Sequence, residues 1–268
     1  MRGFFEMIVI CSMSYALVTG AATGMGVEYA RQLAKRGYNL ILVDINPRVE
    51  QTAQQVQTQY NVLTRSIVMD LGTADAADTL YQQCRQENLP VEVLINNAGL
   101  YHDSDILDDS VEFTRTILTL HVLTPAMLCR LFGEDMRQQG KGYILNVSSI
   151  TAHIFIQRLG TYGSTKAFLS AFTRSLHIEM KAYGVNVLAV HPGAVDTGLF
   201  SIPRWITKAG LALGIIITPQ YLVKRALHAL FAGRSSITVP WLWSKLLLIL
   251  IALIPTAILR LIRKMKIF

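Results

Sequence analysis

The sequence is short of charge and of cysteine. Only 16% of its 268 residues are charged while 51% are apolar, a balance that excludes a disordered chain and leaves ample side chains for a core. The three cysteines, Cys11, Cys84 and Cys129, are an odd number at wide spacing. Without a C-x-x-C pair or a neighbouring His cluster they make neither a disulfide framework nor a zinc site, so they read as buried thiols in a reducing, cytoplasmic compartment, with no metal expected. A secretory leader is not expected either, because the short apolar run Met7–Cys11 follows Glu6 and no small-residue cleavage site comes after it. Internal repeats, low-complexity tracts and a linker between two cores are also missing, which leaves one large α/β domain over residues 14–240.

Acidic residues stop altogether at Asp196. Up to that point fifteen Lys and Arg stand against eighteen acids, a net of −3, whereas residues 197–268 carry ten cations and no acid. The overall charge of +7 therefore belongs to the C-terminal quarter, which is also the most apolar. Cations interleaved with Leu and Ile suit an anionic lipid surface better than a phosphate groove, so nucleic acid is not an expected partner. The stretch Leu246–Leu259 has 14 residues without charge. As a helix it would reach ~21 Å, short of the ~30 Å hydrocarbon core. It contains ten Leu or Ile and is interrupted by Pro255. From its end onward Ile258, Leu261, Ile262 and Met265 share one helical face, with Arg260, Arg263, Lys264 and Lys266 mostly on the other. Residues 241–268 thus read as a tail lying in the membrane interface, with Trp241 and Trp243 as anchors, attaching a cytoplasmic protein peripherally.

From Tyr15 onward, short β-branched apolar runs alternate with amphipathic stretches, the pattern of βαβ units feeding a parallel sheet. The expected strands are 15–19, 39–43, 62–68, 91–95, 142–148, 185–190 and 236–239. The expected helices are 24–36, 47–59, 73–87, 112–138, 161–183 and 219–232. Runs such as Leu40-Ile41-Leu42-Val43 are apolar on both faces, which calls for helices on each side of the sheet. Gly37, Gly140 and Gly184 fall where helix C-caps are needed. The fold class is a Rossmann-type, doubly wound parallel sheet of about seven strands.

The first strand runs into Thr19-Gly20-Ala21-Ala22-Thr23-Gly24-Met25-Gly26, and a helix begins at once. Small residues in a strand-to-helix turn let the backbone approach a pyrophosphate, and the helix N-terminus offers free N–H groups to hold it. Asp44 ends the second strand about twenty residues on, where a carboxylate can accept hydrogen bonds from adenosine ribose hydroxyls and repel a 2′-phosphate. No Lys or Arg occupies residues 21–23, and Ile45 follows Asp44, so NAD(H) is expected over NADP(H). Asp44 also suits a helix N-cap ahead of Pro47, and both uses are compatible.

Two further groups carry chemistry. Tyr162 and Lys166, in Tyr162-Gly163-Ser164-Thr165-Lys166, are one helical turn apart on one face. Ser149 lies thirteen residues before Tyr162, at the end of an apolar strand. The glycine turn G-x-x-x-G-x-G, together with Ser149, Tyr162 and Lys166 at these intervals, resembles the short-chain dehydrogenase/reductase family. Asp70-Leu71, Asn96-Asn97-Ala98-Gly99 and His191-Pro192-Gly193-Ala194-Val195-Asp196-Thr197 are similar to further motifs of that family.

The resemblance implies hydride transfer between a nicotinamide and a ketone or secondary alcohol. Tyr162 would exchange the proton with the alkoxide, Lys166 would favour the phenolate and bond the nicotinamide ribose, and Ser149, chosen over Ser148 by spacing, would hold the substrate oxygen. An ammonium 4–5 Å away at an effective dielectric of ~20 gives ~3–4 kcal/mol, enough to bring the phenol to ~7–8. Cofactor contacts would come from Thr19, Gly20, Thr23, Gly24, Met25, Gly26, Asp44, Asp70, Leu71, Asn97, Ala98, Gly99, Tyr162, Lys166, Pro192, Gly193, Val195 and Thr197. One position departs from the family: His121 stands where an Asn helps to anchor a water chain from the Lys. It could keep the relay and titrate near pH 6.5, or be a satisfied core histidine. His191, just before Pro192, reads as structural.

In the family the segment 198–218 is a lid over the substrate, and here it is rich in apolar residues, including Phe200, Ile202, Trp205, Ile206, Leu211, Leu213 and Ile215–Ile217. That favours a greasy substrate, with core packing or a dimer contact as the other reading. The leading expectation is a ketone reductase for a lipid-like 3-keto compound, of 3-oxoacyl or 3-ketosphinganine type. The alternatives are a hydroxysteroid dehydrogenase and a cofactor-binding sensor without turnover. Family members form homodimers or homotetramers, which is the expected assembly.

Overall fold

A computed structural model describes residues 14–154, 158–197 and 204–239. The expected tail at 241–268, and residues 198–203 of the expected lid, lie outside them.

Seven parallel strands form one sheet in the order β3-β2-β1-β4-β5-β6-β9. They are β1 (Tyr15–Thr19), β2 (Asn39–Asp44), β3 (Thr64–Val68), β4 (Val91–Asn96), β5 (Gly142–Val147), β6 (Val185–Pro192) and β9 (Ser236–Val239). Alternation along each strand feeds two cores. Ala16, Val18, Leu40 and Leu42 face the layer containing α1 (Gly24–Ala34), α2 (Arg48–Tyr60) and α8 (Pro219–Phe231). Leu17, Ile41 and Val43 face the opposite layer, where α3 (Ala76–Gln86) packs against α5 (Thr124–Gln139). Burial on both faces accounts for the unbroken apolar runs. Cys84 and Cys129 are buried and free, as expected. The expected C-cap glycines Gly37, Gly140 and Gly184 all have left-handed φ.

The chain winds outward in both directions from β1 and β4, and at that reversal the loops leaving the two strands diverge. A crevice opens beyond the carboxyl ends of the strands at such a switch point, which is where this fold binds ligands.

Two expected elements gain detail. The helix expected over 112–138 is present over 111–139 and contains one irregular turn. α4 (Val111–Leu118) passes into a wide π-helical turn, Thr119–Leu123, before α5 begins. The Thr124 N–H reaches back to the Thr119 carbonyl, and the Thr124 hydroxyl donates to Leu71 O at 2.8 Å. A 3.6-residue period cannot reveal such a turn, because the apolar face continues on both sides of it. The described part of the lid also has regular structure. α7 (Arg204–Ala212) is followed by β8 (Ile216–Ile217), which pairs in parallel with β7 (Ala194–Val195). Ile216 and Ile217 are buried, whereas Trp205 is 72% exposed.

Candidate active site

The glycine turn is closed from three sides. Gly20 has φ +66°, and a Cβ on Gly26 would lie 1.8 Å from the Gly20 carbonyl oxygen, so helix α1 touches the turn backbone only because residue 26 has no side chain. Asp44 reaches in from β2. One of its oxygens accepts from the Ala22 N–H at 2.8 Å and the other from the Asn46 N–H at 2.9 Å. The helix-capping use expected for Asp44 goes instead to Asn46, whose side-chain oxygen accepts from the Arg48 N–H, because Asp44 is committed to the turn. Asn97 Nδ2 donates to the Thr19 and Gly20 carbonyls at 3.0 and 3.1 Å.

A cleft of about 460 Å³ lies over this turn. Gly20, Thr23, Gly24, Met25, Asp44, Asp70, Leu71, Asn97, Ala98, Gly99 and Thr197 all line it. A second cavity of about 210 Å³ shares Met25, Asn97, Gly99 and Thr197 with the first and is walled by Ser149, Tyr162, Lys166, Pro192, Gly193 and Val195. Of the residues expected to touch a cofactor, Thr19 and Gly26 line neither. The Thr19 hydroxyl donates to Ile95 O and accepts from the Asn97 and Ala98 N–H groups, so it ties β1 to β4.

The paired cavities fit a dinucleotide. The α1 N-terminus and its glycines form the floor of the first. The buried Asn97 Oδ1, which belongs to both linings, has no hydrogen-bond partner among the described residues. A buried acceptor left in that state costs ~1–3 kcal/mol, which a ligand donor would recover.

Ser148 and Ser149 are separated by what they bond. The Ser148 hydroxyl donates to Lys166 O at 2.8 Å, holding α6 (Gly160–Lys181) to β5. Ser149 hydrogen-bonds the Tyr162 phenol and accepts from the Thr151 N–H at 3.2 Å. Lys166 is buried, donates from Nζ to Val147 O at 3.0 Å, and stands 5.6 Å from the centroid of the Tyr162 ring.

The electrostatics of this trio overturn one expectation. Tyr162 does not fall to ~7–8. Burial pushes it up to about 12, against the lowering effect of the Ser149 bond. Burial likewise brings Lys166 down to about 8. Desolvation of both groups outweighs the attraction that the four-residue spacing suggested, and the ammonium is hydrogen-bonded to a backbone carbonyl.

His121 is 1% exposed. Its Nε2 accepts from the Leu100 N–H at 3.0 Å, so the proton sits on Nδ1 and is directed at Thr165 Oγ1, also at 3.0 Å. Burial first, and then the Lys166 charge, hold it well below the ordinary histidine value. His191 has the structural place expected of it, with Nε2 against Ser170 Oγ at 2.9 Å and Nδ1 against Ile237 O. Tyr101 was not foreseen: it walls the second cavity and meets the Tyr162 ring edge-on. It follows the Asn96–Gly99 motif by two residues, and nothing in the local pattern marks it. Among the described residues no group of acids, His and Cys could hold a metal ion.

The family model for short chain dehydrogenases matches residues 14–203. The chain is a member of the short-chain dehydrogenase/reductase family. It is similar to the very-long-chain 3-oxoacyl-CoA reductases of Bos taurus, 30% identical over 253 residues, and Mus musculus, 28% over 246; each match covers 87% of this chain and 78% of the relative. Among solved structures it resembles a short-chain dehydrogenase from Sphingobium yanoikuyae in complex with NADPH, with a TM-score of 0.76 and 26% identity over 85% of this chain and 88% of that one. This short-chain dehydrogenase is therefore an NAD(P)-dependent oxidoreductase acting on CH–OH groups.

Proposed function

We propose that this dehydrogenase reduces the 3-keto group of a long-chain, lipid-like substrate, such as a 3-oxoacyl thioester, with NADH. The observation that carries the chemistry is the convergence of Ser149, Tyr162 and Lys166 on the smaller cavity, beside the wall made by Pro192–Val195. The substrate class is supported by the very-long-chain 3-oxoacyl-CoA reductases among the relatives and by the apolar residues that follow Thr197.

When bound, the nicotinamide supplies hydride to the carbonyl carbon. Ser149 donates a hydrogen bond to the carbonyl oxygen as negative charge grows there. Tyr162 transfers its phenolic proton to that oxygen, completing the alcohol. Lys166 stabilises the resulting phenolate from below the ring. Held up at about 12, Tyr162 keeps its proton throughout the neutral range, which suits the reductive direction.

Asp44 supports the choice of NADH, since a 2′-phosphate would meet a carboxylate already fixed by two backbone N–H groups. Turnover of long-chain 3-oxoacyl thioesters and ketosteroids, each with NADH and NADPH, tests both points. We expect the thioesters to be the better substrates and KM to be at least ~10-fold lower for NADH. Preference for NADPH overturns the cofactor assignment, and faster ketosteroid turnover makes the enzyme a hydroxysteroid dehydrogenase instead.

We further propose peripheral attachment to the cytoplasmic face of a membrane through residues 241–268, a unit separate from the catalytic domain at 14–240. The acid-free, cation-rich C-terminal quarter supports this. The full chain is expected to sediment with vesicles containing phosphatidylserine, and more weakly as salt rises. A protein that stays in the supernatant at low salt refutes the attachment.

A further inference from the structure

The Tyr162 ring is enclosed on two sides. Tyr101 meets it edge-on at 5.7 Å and 70°, and His121 meets it edge-on at 5.7 Å and 77°. These two flanking rings are themselves connected, because the N–H of Leu100, the residue before Tyr101, donates to His121 Nε2. On its other side His121 bonds Thr165, whose hydroxyl donates to the Tyr162 carbonyl at 2.7 Å. His121 therefore touches the backbone turn of the reacting tyrosine and the backbone that carries Tyr101.

The surroundings leave His121 little freedom. It projects inward from the π-helical turn, where a wider backbone pitch changes the direction of a side chain relative to a regular helix. A Cβ on Gly99 would come within 3.0 Å of Nε2, so the chain passes the imidazole at backbone distance. Both ring nitrogens are occupied by protein groups, and the charged group facing them is the Lys166 ammonium, 3.6 Å from that same Cβ position.

We propose that His121 is a positioning residue that carries no proton in the reaction: it clamps the Tyr162 ring between itself and Tyr101 and so fixes the direction of the phenolic O–H. The inference rests on Tyr162 being the proton donor. Taking a proton would require His121 to give up the Leu100 N–H, because Nε2 is its acceptor. Releasing that amide would free Tyr101 as well. A relay through the imidazole and a fixed tyrosine are thus mutually exclusive in this geometry.

Two measurements on the full-length enzyme test the clamp. Nitrogen-15 NMR of the histidine side chains should show one imidazole protonated on Nδ1 and unchanged between pH 5.5 and 8.5, assigned by its loss in His121→Gln. Titration of that signal within the range overturns the proposal, whether or not a substrate has been found. In kinetics, His121→Leu and Tyr101→Leu should each lower kcat by ~30-fold, with the cofactor KM within ~2-fold of the parent. The double variant should be no slower than ~50-fold, since residues acting as one unit do not add. His121→Gln, whose amide oxygen can still accept from Leu100, should recover most of the rate and keep the parent pH profile. Multiplicative loss in the double variant, or disappearance in His121→Gln of an ionisation that the parent shows, refutes the clamp.

Discussion

Replacing Tyr162 with Phe is expected to lower kcat for ketone reduction by ~10³-fold, in the middle of the range for removing a positioned general acid. The ring and its contacts with Tyr101 and His121 survive the change, and the larger cleft over the glycine turn is built from other elements, so NADH binding measured by fluorescence should stay within ~2-fold. Turnover unaffected by the substitution would remove Tyr162 from the mechanism. The pH dependence adds a second reading of the same site. Because burial depresses Lys166 to about 8, its charge is present below that pH and is lost as pH rises through it. The phenolate left by proton transfer then loses its nearest cation. The reductive rate should therefore be flat up to neutrality and fall through pH 8, well before Tyr162, at about 12, loses its proton. A rate that instead climbs through pH 8 would show that a deprotonated group limits reduction.

The substitution with the largest expected effect on structure is Gly26→Ala. A methyl group there would lie 1.8 Å from the Gly20 carbonyl oxygen and 2.8 Å from Ala21 Cα. Neither neighbour is a flexible side chain, so helix α1 has to move away from the turn. Overpacking against backbone costs ~1–3 kcal/mol and occasionally more, and the upper end is expected here because Ala21 is wholly buried. Displacing the helix also pulls its N-terminal N–H groups away from the pyrophosphate position. Cofactor affinity should fall by ~100-fold or more, a loss of ~3 kcal/mol. Thermal unfolding and fluorescence titration with NADH measure the two effects separately. Affinity and melting temperature that both match the parent would mean that the turn does not hold the phosphates.

Much of this was legible in the sequence, for a reason that can be given residue by residue. The glycine turn is short and contiguous, and its steric demand is local: a strand, a run of small residues and a helix leave few other uses. Tyr162 and Lys166 are four residues apart on one helix, so their shared face follows from helical pitch alone. The two apolar faces of β2 required helices on both sides before any contact was known. The π-helical turn at Thr119–Leu123 within the long helix had no such local signal, since the same apolar residues fit a regular α-helix.

Sequence by itself determined the parallel sheet with helices on both faces, because that is set by periodicity, and the motifs that resemble the family pointed to the residues expected to carry the chemistry. Only the tertiary structure decided how those residues are tuned. Desolvation depends on what surrounds a group from every direction, so the rise of Tyr162 and the fall of Lys166 could not be read from their four-residue interval. Ser149 was separated from Ser148 by a bond to a carbonyl 18 residues away. The hydrogen bonds of His121 were decided by Leu100 and Thr165, 21 and 44 residues distant, which meet its two nitrogens only when the loop after β4 and the second turn of α6 are brought together.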